Sequence, residues 1–284
     1  MVLVPGIDGT ALLFYRQQPL LAEHFDTIAF PLPTASVKSM TMDSLVVDLA
    51  VLIEETSTNG AILLGESFGG ALSMSLALAR PDLVRGLVIV NSFPYFDERV
   101  KLRSAPWLLR AIPWAAMPVV RRYTSGHLHS PHTNWEDIAE FRERAKSIDR
   151  DSYIRRLEIL QTYDIRERLG EIDAPTLFLA GDRDRLLPSV AEADRLARVW
   201  KGGGVPVWRT VLPDSAHACL LEAGVRLVDL LAVHDTPAGG ADAGAARARR
   251  DAPAGAPPPP PRAVPQSTTA AEAATAAVEP PPPL

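Results

Sequence analysis

Continuous apolar runs separated by amphipathic stretches organise the first 233 residues of the chain. Val2-Leu3-Val4, Ala61-Ile62-Leu63-Leu64, Leu87-Val88-Ile89-Val90 and Leu177-Phe178-Leu179-Ala180 show no alternation of apolar and polar positions. A strand of that kind is buried on both faces, as in a parallel sheet covered by helices. Two further runs, 26–31 and 205–212, bring the expected count to about six strands. Between the strands, residues 42–56 set Leu45, Val46, Leu49, Leu52 and Ile53 along one helical stripe. Residues 15–24, 71–79, 188–199 and 219–233 also read as helices. The pattern predicts an α/β fold, a mostly parallel sheet with helices on its faces.

The rhythm breaks after Phe93. Residues 94–170 hold no convincing strand but carry Trp107, Trp114, Trp135, Phe141, Tyr153 and Tyr163 with helical runs at 134–146 and 152–163. An inserted helical cap is expected there. Its aromatic and proline-rich front half offers Phe93, Tyr95, Trp107 and Trp114 as candidate walls of an apolar substrate pocket. The expected organisation is a core in two parts, 1–93 and 171–235, the cap at 94–170, and a tail at 236–284. That tail holds 12 of the chain's 26 prolines among Ala, Gly and small polar residues. Such a composition cannot bury enough apolar surface to offset its ordering entropy, so disorder is expected.

Composition narrows the function. With 284 residues, 47% of them hydrophobic, the chain can bury a large core, and a net charge of −5 gives no footprint for nucleic acid. The single cysteine, Cys219, excludes an internal disulfide and a multi-cysteine metal site, and agrees with a cytoplasmic location. No secretory signal is read at the start, because Met1 runs directly into a short strand and a Pro-Gly turn. The longest apolar stretch, 105–120, carries Arg110 and three prolines and makes a poor membrane span.

The chemistry concentrates at Gly65-Glu66-Ser67-Phe68-Gly69, a G-x-S-x-G between a predicted strand and a predicted helix. Such a turn strains the serine, and only small residues two before and two after it avoid a clash of strand with helix. It presents the hydroxyl at a helix N-terminus, where negative charge is favoured. Acyl transfer also needs two backbone donors for the oxyanion. Phe68 N–H is the first; the glycine-rich loop 5–10 supplies the second, Ile7 N–H, with Asp8 N–H as the fallback. Asp8 itself is expected to turn its carboxylate outward and fix an Asp-Gly turn.

A serine needs a base, and the base needs a carboxylate to hold its tautomer. Of six histidines only His217 follows a core strand. The acids after the preceding strand are Asp182 and Asp184, and local pattern does not separate them.

The elbow at 65–69, the glycine loop at 5–10, the segment 174–184 and His217 ahead of a helix together resemble the alpha/beta-hydrolase superfamily, over residues 1 to about 233. The resemblance implies Asp184 as the acid, since in that family it is usually the third residue after the strand-ending glycine. It also implies that the chain begins at the third strand of the usual fold, so that the first two strands are missing or the start of the chain is misassigned. More narrowly, Pro5-Gly-Ile-Asp-Gly-Thr10 with Gly65-Glu-Ser-Phe-Gly-Gly70 is similar to the hydrolase-like half of ester synthases that acylate phytol. Those synthases carry a separate acyltransferase domain that this chain is too short to hold. The H-x4-D from His132 to Asp137 is frequent enough by chance to be set aside.

The expected function is a serine hydrolase acting through an acyl-enzyme on an apolar ester, thioester or lactone, with no metal and no organic cofactor. Acyl transfer to an alcohol and ligand binding without catalysis are the alternatives. The expected partner is that small substrate, and oligomeric state is not legible.

Overall fold

In the computed structural model, residues 1–34, 39–96, 99–200 and 204–233 are described. Six strands form one sheet: β1 (Val2–Val4), β2 (Ile28–Ala29), β3 (Ala61–Glu66), β4 (Val84–Val90), β5 (Thr176–Gly181) and β6 (Val207–Leu212), in the order β2-β1-β3-β4-β5-β6. Every pairing is parallel. The strand expected at 26–31 is only two residues long and lies at the sheet edge, where one neighbour supplies all its pairing.

Alternate side chains of the apolar strands enter two different cores. Val2, Val4, Leu63, Leu87, Ile89 and Phe178 face one core, while Leu3, Leu64, Val88, Val90, Leu177 and Leu179 face the other. The first is closed by α2 (Met42–Thr56), α3 (Phe68–Ala79) and α8 (Ser189–Trp200), through Leu49, Leu72 and Trp200 among others. The second is closed by α1 (Gln17–Ala22) and α9 (Leu227–Val233), through Leu21, Leu227 and Leu231. Helix α2 starts where a capping box lets it, with Thr41 and Ser44 satisfying each other's backbone N–H groups.

The single helix expected over 219–233 is corrected. A 3-10 turn at Cys219–Leu221 is separated from α9 by residues 222–226. The break is held by a side chain 203 to 210 positions away in sequence. Gln17, 1% exposed, donates its amide N–H to Leu220 O and Val225 O, at 2.9 and 2.8 Å, and accepts from Leu227 N–H. These bonds replace the helical ones that the interruption removes.

Between β4 and β5 the chain forms α4 (Arg99–Ala111), α5 (Met117–Leu128), α6 (Trp135–Arg144) and α7 (Arg150–Leu160). Among the described residues no helix is long and apolar enough to cross a membrane. The tail at 236–284, expected to be disordered, lies outside the described residues.

Candidate active site

Parallel strands bring their C-terminal ends to one edge, where ligand sites of α/β sheets lie. Ser67 follows β3 with φ 53° and ψ −116°, a strained backbone for a residue with a side chain. Its neighbours explain why the strain persists. A Cβ on Gly65 would lie 2.5 Å from Gly69 O, and one on Gly69 would lie 2.1 Å from Val4 O. Strand, helix and the neighbouring β1 therefore touch backbone to backbone, and Ser67 N–H is held on Val90 O at 2.9 Å.

His217 lies in the loop after β6, 4% exposed, with Nε2 3.1 Å from Ser67 Oγ and Nδ1 2.7 Å from Asp184 Oδ2. Asp184 sits in the loop after β5. Its Oδ1 accepts from Leu186 N–H and Leu187 N–H, and its Oδ2 also accepts from the Ser189 hydroxyl. Burial pushes this carboxyl up, but the His217 charge and the donated hydrogen bonds outweigh it and leave it below its usual value. Asp182 stays apart, with a side chain 37% exposed and 3.8 Å from Arg183.

Phe68 is the first residue of α3, so its N–H has no carbonyl one turn earlier to bond. On the other side, Gly6 comes close to the nucleophile, since a Cβ there would lie 3.7 Å from Ser67 Cβ. Asp8 does fix a turn through its own side chain. Its Oδ2 accepts from Thr10 N–H and the Thr10 hydroxyl.

Of the aromatic residues expected to wall a pocket, Phe93, Tyr95 and Trp107 have three different surroundings. Phe93 is 2% exposed and packs edge-on to Phe96 and Tyr163 inside the core. Tyr95 stacks under the Arg166 guanidinium, 3.8 Å from its ring centre. Trp107 stands 72% exposed on α4. The Trp114 side chain lies outside the described residues. A cavity of about 430 Å³ opens instead beside α2, α3 and α7, lined by Val46, Leu78, Arg155, Ile159 and Tyr163, and neither Ser67 nor His217 borders it. His132 and Asp137 make separate contacts: His132 lies 3.8 Å from Asp214, while Asp137 accepts from Tyr15 and Arg16.

Three residues around the site escaped the sequence reading. Ser189 is a side-chain donor to Asp184 Oδ2. Asn91, at φ 45°, donates its side-chain N–H to Ala216 O and His217 O and accepts from Gly181 N–H, tying three loops together. An asparagine just after a buried strand was the available signal, because it tolerates the left-handed region. The third is Glu66, 1% exposed, with Oε2 lacking a partner among the described residues. Burial pushes its carboxyl well above the usual range, and the charges of Asp8 and Asp184 push the same way.

A raised carboxyl contributes stability that is intact below its unfolded value and is lost as pH rises. Above pH 4.5 the wild type should therefore lose up to about 1.4 kcal/mol per pH unit relative to a neutral isostere. Thermal melts of Glu66→Gln are expected to match wild type near pH 4.5 and to exceed it by a growing margin as pH rises above that. A difference that does not vary with pH would contradict this account.

Among the described residues no group of three or more His, Cys, Asp or Glu side chains is placed to hold a metal ion. The profile of the family described as "Alpha/beta hydrolase family" matches residues 1–230. A protein of Azorhizobium caulinodans that bears the provisional name carbamate hydrolase RutD is 30% identical, over 61% of this chain and 69% of that one. Phytyl ester synthase 1, chloroplastic, of Arabidopsis thaliana is 24% identical over 81% of this chain and 36% of its own length. A carboxylesterase structure from Nitrososphaera gargenis aligns with a TM-score of 0.68 at 20% identity, covering 81% of this chain and 87% of that one.

Proposed function

The chain belongs to the alpha/beta hydrolase family, and within it we propose a serine hydrolase that cleaves a carboxylic ester, thioester or lactone with an apolar acyl or alkyl group. The carrying observation is the unbroken line of hydrogen bonds from Ser67 Oγ through His217 to Asp184, at 3.1 and 2.7 Å. Ser67 Oγ attacks the carbonyl carbon while His217 Nε2 takes its proton. Asp184 fixes the tautomer and stabilises the imidazolium. The N–H groups of Phe68 and Ile7 receive the oxyanion. Collapse expels the alcohol, protonated by His217, and leaves the acyl group on Ser67. Water then attacks with His217 as base and releases the acid. The helices of residues 94–170 serve as a cap in this reading, and the apolar group lies between them and Ser67.

A panel of p-nitrophenyl esters tests the substrate class. We expect kcat/KM for the octanoyl ester to exceed that for the acetyl ester by about tenfold, since each buried methylene is worth roughly 0.8 kcal/mol and only part of the chain need be covered. An acetyl preference would refute the apolar acyl site and leave the nucleophile untouched. The similarity to a phytyl ester synthase favours a second outcome for the same acyl-enzyme, transfer to an alcohol. Addition of methanol separates the two: a methyl ester that dominates the products at low methanol marks transfer, and free acid marks hydrolysis.

A further inference from the structure

Resting on the serine-hydrolase reading, we propose that Arg156 is a positioning residue for the oxyanion loop: from the inserted helices it holds the Ile7 N–H in the direction that acyl transfer requires. Arg156 lies on α7 and is 1% exposed. Its Nη1 donates to Ile7 O at 3.1 Å and Asp8 O at 3.2 Å; its Nη2 donates to Leu32 O at 3.4 Å and Pro33 O at 3.2 Å. One guanidinium thus joins the loops that follow β1 and β2 to a helix that belongs to neither. Burying that charge is costly unless it is well bonded, and the fork of five donors suits several carbonyls at once.

The directions of the peptide groups give the clamp its consequence. Gly6 O accepts from Gly9 N–H at 3.0 Å, so in the trans peptide that follows it the Ile7 N–H points the opposite way, out of the turn. Among the described residues nothing accepts a hydrogen bond from that N–H. The Asp8 carboxylate accepts from Thr10 N–H and the Thr10 hydroxyl, on the far side of the turn from Ile7 N–H in this reading. The next two carbonyls, Ile7 O and Asp8 O, both end on Arg156, so neither peptide can rotate without losing a bond to a charge. Asp8 O shares its peptide with the Gly9 N–H that holds Gly6 O, so the clamp reaches the Gly6–Ile7 peptide through that bond; a flip of the Gly6–Ile7 peptide would set Gly6 O where the Ile7 N–H is needed, and attraction of the oxyanion would become repulsion.

Gly9 fits the same arrangement. It has φ +74°, and a Cβ there would lie 2.3 Å from Arg156 Nη1. The guanidinium occupies the space that this glycine leaves. Because α7 is part of the insertion between β4 and β5, the loop is held only while that helix is seated.

The test compares Arg156→Lys with wild type on an ester and on the matching thionoester, whose sulfur takes little benefit from hydrogen-bond donors. Lysine keeps the charge but cannot span both pairs of carbonyls. We expect kcat for the ester to fall by about 10- to 100-fold with KM within roughly threefold, and the thionoester rate to change by less than about threefold. The preference for oxygen over sulfur should therefore shrink with the ester rate. Gly9→Ala, which displaces the guanidinium from the opposite side, should shrink the same ratio and covers the case in which Arg156→Lys does not fold. An unchanged ratio, or equal losses on both substrates, overturns the proposal. Fluorophosphonate labelling keeps the two readings apart: a variant still labelled at Ser67 with an unmoved ratio rejects the role of Arg156 alone, while absence of Ser67 labelling in wild type rejects the hydrolase.

Discussion

Ser67→Ala is expected to lower ester turnover by at least about 10⁴-fold while the protein melts within a few degrees of wild type. Removing the nucleophile of such a triad leaves only what substrate binding and the oxyanion donors supply over water. The fold should survive, because the strained backbone at φ 53° is set by contacts of Gly65 and Gly69 rather than by the hydroxyl. The backbone bonds of Ser67, its N–H to Val90 O and its carbonyl to Ser92 Oγ, are kept by alanine. Steady-state rates, a melt and fluorophosphonate labelling measure all of this on one sample. Labelling that persists unchanged in the variant would remove Ser67 from the mechanism.

The second large effect is expected from Asp184→Asn, a loss of about 10³- to 10⁴-fold in kcat with intact geometry. An amide in that position can donate to Nδ1, which would put the imidazole proton on Nε2, facing Ser67, where a base must be free. The variant also gives up the charge that stabilises the imidazolium. Asp182→Asn is the control two residues away, and its rate should stay within about twofold, since its side chain is partly in water beside Arg183. Reversal of the two results would move the acid to Asp182. A comparable loss in both would indicate that the loop, rather than one carboxylate, is what was damaged.

Some features were legible because they are local. Helix α2 was read with its bounds because its apolar stripe is contained in neighbouring residues. The strands were read because a run buried on both faces lacks polar alternation. The elbow was read because the constraint on positions 65 and 69 is steric and acts across four residues. The choice between Asp182 and Asp184 was not local, and needed family resemblance, because two carboxylates in one turn differ only in direction. The walls of the pocket were not local either. Phe93 and Trp107 have similar apolar character, yet one lies inside the core and the other faces solvent, according to what each helix and loop packs against.

The sequence by itself determined the layered sheet, the position of the serine and the candidates for its partners, since periodicity and close sterics act over a few residues. Tertiary structure alone decided how Asn91 ties down the loop that carries His217 and that Gln17 breaks the last helix. It also decided that Arg156 reaches a loop nearly 150 positions earlier in the chain. These are single hydrogen bonds between residues remote in sequence. Whether they form depends on where packing aims each side chain, and no local pattern carries that direction.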